Sequence, residues 1–99
     1  MSGAARHVVI RGRVQGVGYR AWVDHEARRL GLQGWVRNRR DGCVEAVFDG
    51  DKETVAAMIA ACRKGPSSSR VDAVTEEIAS ENDLRLRHSG EAFSVLSTI

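Results

Sequence analysis

The 99-residue chain is short of most features that would mark a specialised class. It has two cysteines, Cys43 and Cys62, too few for a disulfide framework and without metal-ligand spacing. Its three histidines, His7, His25 and His88, are scattered, and no companion motif makes any of them a base or a covalent nucleophile. Long apolar runs, signal peptides and lipidation motifs are all missing, so the expected compartment is the cytoplasm and no membrane partner is expected. Net charge is only +2, with a pI near 8.8, too mild to argue for nucleic acid but suited to a small anion. No repeat or linker interrupts the chain, and the three serines from Ser67 are the nearest thing to a low-complexity tract. One domain over residues 6–99 follows, after a small, polar stretch, residues 1–5, expected to fray.

What is present is organised around Gly12-Arg13-Val14-Gln15-Gly16-Val17-Gly18-Tyr19-Arg20. Before it, His7 to Val14 alternates, with Val8, Ile10 and Val14 on one face, which predicts a half-buried strand. After it, Tyr19, Trp22, Val23, Ala27 and Leu30 fall at helical spacing, and Gly31 is placed to end that helix. Gly16 and Gly18 allow positive φ and a close backbone approach to a ligand. N–H groups at such a strand-to-helix turn converge on anions, and Arg20 adds a planar positive fork. From local physics alone this is an anion cradle or merely a turn with a solvated cation. Gly16-x-Gly18-x-x-Ala21 also fits a dinucleotide fingerprint, but Asn38 stands near the position of the required acidic residue, and the chain is too short for two mononucleotide-binding halves.

Further strands are predicted over Gly34–Asn38 and Cys43–Asp49, joined by a turn through Asp41-Gly42. Asp51 reads as the cap of a second helix striped by Val55, Met58, Ile59 and Cys62, and Gly65-Pro66 stops it. A fourth strand is predicted over Val71–Ala79. Residues 80–91 are polar and give no clear pattern, and Phe93, Val95 and Ile99 suggest a short closing strand. The order βαββαβ predicts an α+β, ferredoxin-like split sandwich: an antiparallel sheet with two helices on one face. In its usual strand order, 4-1-3-2, the ends of strands 1 and 2 share one edge, about 10 Å apart. Arg20 and Asn38, 18 residues apart, then face one small ligand across that edge.

Ile10-x-Gly12-x-Val14-Gln15-Gly16-Val17-x-Tyr19-Arg20 resembles the first signature of the acylphosphatase family. Gly34-Trp35-Val36-Arg37-Asn38-x-x-x-Gly42-x-Val44, with Gly50 beyond it, resembles the second. The likeness runs through Gly65-Pro66 and Arg70-Val71 and covers about residues 6–99. One departure is Tyr19, where Phe or Met is more usual; a buried hydroxyl there needs a partner. The resemblance implies metal- and cofactor-free hydrolysis of acyl phosphates to carboxylate and phosphate, with no covalent intermediate and with phosphate as competitive inhibitor; a monomer is the expected state. By the same resemblance Arg20 and the loop of Gln15, Gly16, Val17, Gly18 and Tyr19 bind the phosphoryl group, and Asn38 positions water.

The alternatives are an RNA-binding module of the same strand order and an anion-binding domain without turnover. The RNA reading requires aromatics on the third strand, where this chain has Cys43-Val44-Glu45-Ala46-Val47-Phe48. The second is opposed by the presence of both Arg20 and Asn38. Cys43 and Cys62 read as small buried hydrophobes, Trp22 and Trp35 as packing residues, and Arg37, Arg39 and Arg40 as a basic strand end.

Overall fold

The computed structural model describes residues 3–99, with elements β1 (Gly3–Arg13), α1 (Tyr19–Arg29), β2 (Gln33–Asn38), β3 (Val44–Asp51), α2 (Lys52–Lys64), β4 (Arg70–Ile78), α3 (Glu81–Leu84) and β5 (Phe93–Val95). One five-stranded sheet runs β4-β1-β3-β2-β5, antiparallel except where β5 joins β2 in parallel. The α+β ferredoxin-like arrangement and the 4-1-3-2 order are as expected, with β5 added outside β2. The stretch 1–5, expected to fray, is only partly described. Met1 and Ser2 lie outside the described residues, but Gly3, Ala4 and Ala5 already pair with Asp51, Gly50 and Asp49. They can do so because β3 runs two residues past the expected end at Asp49, to Asp51.

Both helices lie on one face. Tyr19, Val23 and Ala27 of α1 and Val55, Met58, Ile59 and Cys62 of α2 are buried against Val8, Ile10, Val36, Val44, Ala46 and Phe48 of the sheet. Each large side chain so buried stabilises by roughly 1.5–3 kcal/mol. Asp51 caps α2, its carboxylate accepting from Glu53 N at 3.1 Å and Thr54 N at 3.3 Å. Such a cap is worth about 1 kcal/mol. Gly31 follows α1 at φ 71°, as a left-handed terminator must.

The opposite face differs from the simple alternation. Every residue from Cys43 to Phe48 is buried, so β3 is covered on both sides. The cover is the segment after β4: Trp35, Val47 and Leu96 form a second small core with Ala79 and Leu84. Trp35 donates its ring N–H to Asp83 O at 2.6 Å, and Ser80 closes a capping box with Asp83. Glu45 is buried beneath this cover. Its carboxylate accepts from Arg37 Nε at 2.7 Å and pairs with His7 Nε2 at 2.5 Å, while Arg37 lies 4.6 Å over the Trp35 ring.

Candidate active site

The β1–α1 connection and the end of β2 meet as the topology requires. A cavity of about 190 Å³ is lined by Val14, Gly16, Gly18, Tyr19, Arg20, Ala21 and Asn38. Arg20 and Asn38 therefore face one small space. In β2 the side chains of Val36 and Asn38 share the helix-covered face, whereas Arg37 points to the other. That alternation is what aims the carboxamide at the loop.

The loop offers donors. Gly16 and Gly18 sit at φ 73° and 81°, values a side chain would strain. Gly18 is the N-cap of α1, yet no side chain caps the helix and its first turn holds no acidic residue. Among the described residues, no backbone carbonyl accepts from the N–H groups of Gly16, Val17, Gly18, Tyr19, Arg20 or Ala21; Trp22 is the first to bond back, to Gly18 O at 3.0 Å. Donors without partners at a helix N-terminus form an anion site. Arg20 forms no ion pair with any carboxylate among the described residues. Across the cavity Asn38 Oδ1 is buried and has no hydrogen-bond partner among the described residues. An orphaned acceptor of this kind costs stability and asks for a functional reason.

Tyr19 points elsewhere. Its hydroxyl donates to Cys62 O at 2.7 Å, near the end of α2. That carbonyl's helical donor would be residue 66, which is Pro66 and has no N–H. The phenol thus satisfies an orphaned helix-end carbonyl and ties the start of α1 to the end of α2. Burial, with a smaller contribution from Cys62, pushes the phenol well above its ordinary value, so it stays a donor.

Gln15 and Val17 are placed differently from the other loop residues. Neither lines the cavity. Gln15 Nε2 donates to Arg39 O and to Cys43 O, each at 2.7 Å. Val17 O accepts from Ser68 Oγ at 2.8 Å. In compensation the structure adds Ala21 and Val14 to the lining; the first-turn position of Ala21 was the signal for it.

The remaining candidates stay out of the site. Burial pushes the Cys62 thiol up to about 12 and raises that of Cys43, so neither is a nucleophile at neutral pH. His7 is bound to Glu45, and His88 to Glu91 at 3.0 Å. A larger space of about 420 Å³ is lined by Arg37, Arg39, Arg40, Asp41, Glu45 and Ile99. Its Arg37 and Arg39 are already held by Glu45 and by Asp41, the latter at 2.9 Å, and it does not include Asn38. No group of three or more His, Cys, Asp or Glu among the described residues could hold a metal ion, and no helix among them is long and apolar enough to cross a membrane.

Comparison with known proteins points to one family. The acylphosphatase family model matches residues 6–91. An acylphosphatase of Bradyrhizobium diazoefficiens is 63% identical over 99 residues, covering the whole of both chains. Among solved structures, an acylphosphatase from Coxiella burnetii superimposes with a TM-score of 0.82 at 29% identity, covering 96% of this chain and 94% of that one. An acylphosphatase from Bacillus subtilis gives 0.76 at 34% identity, covering 93% and 97%.

Proposed function

The chain belongs to the acylphosphatase family and hydrolyses acyl phosphates, and we propose that Arg20 and the loop N–H groups hold the phosphoryl group while Asn38 orients the attacking water. The observation that carries this reading is the pairing of unspent groups across one 190 Å³ cavity: N–H donors and a guanidinium on one side, the orphaned Asn38 oxygen on the other.

Phosphoryl transfer passes through a loose transition state, with charge spread over the equatorial oxygens and the attacking and leaving oxygens in line. Preorganised N–H groups and the planar Arg20 fork match that charge. Asn38 Oδ1 accepts a hydrogen bond from the water and Nδ2 can donate one to its oxygen, so the carboxamide fixes the water's lone pair toward phosphorus. A strong base is unnecessary, because little proton transfer is needed early in a loose transition state. The phosphorus–oxygen bond to the acyl group breaks, a carboxylate leaves, and the water's protons pass to solvent and phosphate. The leaving carboxylate has a conjugate-acid pKa of about 4, taking Asp and Glu as models, so it departs without a general acid. Phosphate, which retains the equatorial oxygens, competes for the same cradle.

The test is Asn38→Ala, assayed with benzoyl phosphate and with inorganic phosphate as inhibitor. The expected result is a kcat lower by roughly 10²-fold or more, the scale of one lost preorganised polar group. The phosphate inhibition constant should change little. Wild-type kcat in a folded Asn38→Ala protein removes Asn38 from the mechanism.

A further inference from the structure

We infer that Gln15 is a positioning residue: its amide fixes the hairpin that carries Asn38 against the phosphoryl loop. This rests on the role of Asn38 argued above.

Gln15 stands just beyond β1, yet its side chain reaches across the start of β3 to the end of β2. Its Nε2 lies 2.7 Å from both Arg39 O and Cys43 O. An amide nitrogen has two protons, and two flanking carbonyls identify this end as the NH₂ group and use both. Gln15 therefore has no side-chain proton left for a phosphoryl oxygen, and its remaining polar atom is an acceptor that an anion repels. Serving a phosphate would mean releasing one hairpin carbonyl.

The two carbonyls it holds are the closing pair of the β2–β3 turn. Arg39 N donates to Cys43 O at 2.8 Å, and Gly42 N to Arg39 O at 3.1 Å. Arg39 is thus fixed through both its peptide groups, and it is the residue after Asn38. On the other side Ile99 N donates to Asn38 O at 3.1 Å. Beyond these bonds the turn is exposed at Arg40, Asp41 and Gly42. Without Gln15 the end of β2 keeps its pairing with β3, and β3 its ladder to β1, but the direct side-chain tie between the turn and the loop is lost. Misplacement of about 1 Å in a reacting group costs up to about 10²-fold in rate.

The experiment is a double-mutant cycle of Gln15→Met with Asn38→Ala. Met keeps the length and shape of the side chain and removes both donors. Four proteins are compared for kcat, KM and the inhibition constant of inorganic phosphate, with benzoyl phosphate as substrate. Gln15→Met alone should lower kcat roughly 10- to 10²-fold. It should leave phosphate inhibition nearly unchanged, because the cradle is intact. In the Asn38→Ala background it should cost nothing further, since there is no longer a carboxamide to place. If Gln15→Met does not fold, Gln15→Asn serves: it keeps the amide but is one methylene too short to span both carbonyls, and the same cancellation is expected. Multiplying losses in a crippled Asn38→Ala enzyme overturn the positioning role and leave the function of Asn38 standing. Weakened phosphate inhibition with unchanged kcat also overturns it, by making Gln15 a ligand of the anion. Full activity of Asn38→Ala alone overturns the role of Asn38, and this inference with it.

Discussion

Replacing Tyr19 by Phe removes one oxygen and should destabilise the fold, although Phe is the more usual residue in the motif that Tyr19 occupies. The hydroxyl is buried and donates to Cys62 O at 2.7 Å. No backbone donor is available to take its place, because the residue four positions after Cys62 is Pro66. The variant leaves a buried carbonyl unsatisfied, at a cost of about 1–3 kcal/mol. Nothing offsets it: the phenyl ring keeps its contacts, including Trp22 at 5.4 Å between ring centroids, and gains none. For a domain of this length each kcal/mol lowers Tm by about 4–8 °C, so the expected fall is roughly 4–24 °C. Urea unfolding followed by circular dichroism should show a lower midpoint with an unchanged slope, since the surface exposed on unfolding is the same. Activity at temperatures where the variant is folded should be close to wild type, because the hydroxyl faces α2 and not the cavity. A Tyr19→Phe protein as stable as wild type would refute the reasoning, and would mean that the Cys62 carbonyl is satisfied in some other way.

Arg20→Ala should lower kcat/KM by about 10³-fold or more, the scale of a lost transition-state arginine, and Arg20→Lys should stay severely impaired because one ammonium cannot reproduce a two-point contact. Steady-state assays with benzoyl phosphate decide this, and an active Arg20→Lys enzyme contradicts it. A simple alkyl phosphate should be hydrolysed at least about 10³-fold less efficiently than benzoyl phosphate at pH 7, because the cavity holds no general acid for an alkoxide and such catalysis is worth 10²–10⁴-fold; comparable rates would reveal an acid that the geometry does not show. Burial works against ionised Glu45, but hydrogen bonds from Arg37 and His7 outweigh it and hold the carboxyl below its usual range. The resulting stabilisation is complete above the unfolded value of about 4.3 and is lost as pH falls through the lower folded value. Glu45→Gln should therefore be less stable than wild type at pH 7, with the gap closing as pH falls through the lowered folded value in urea titrations; a gap that widens in acid has the wrong sign.

The parts of this molecule that sequence reveals are those where backbone chemistry is local. Asp51 is a cap because a carboxylate one residue before a helix has N–H groups to accept from, wherever the helix packs. Gly31 and Gly65-Pro66 end helices for equally local reasons. Arg20 and Asn38 come together through strand order, which the alternation of elements already implied. Gln15 is different. A glutamine beside a phosphate loop has the same donors whether it serves an anion or a carbonyl, and only the distance to Arg39 and Cys43 decides. Glu45 was hidden for another reason. Its burial depends on residues 79–96, where Leu84 and Leu96 are separated by polar chain and follow no period. The parallel pairing of β5 with β2 likewise rests on three residues whose partner is set by tertiary closure.

If phosphate binds at the uncapped start of α1, as proposed, the product of the reaction is also a folding ligand. Helices elsewhere in the chain finish themselves: α2 with Asp51, α3 with Ser80. In α1 the corresponding N–H groups are those that phosphate would accept from, so completing the helix and occupying the site are one event. By linkage, free phosphate at a hundred times its dissociation constant adds about 2.7 kcal/mol to stability. The loop's resistance to proteolysis and the enzyme's lifetime should then rise with ambient phosphate, under the same conditions that slow its turnover. A side chain introduced to cap α1 would uncouple lifetime from phosphate, at the expense of the donors that the reaction uses.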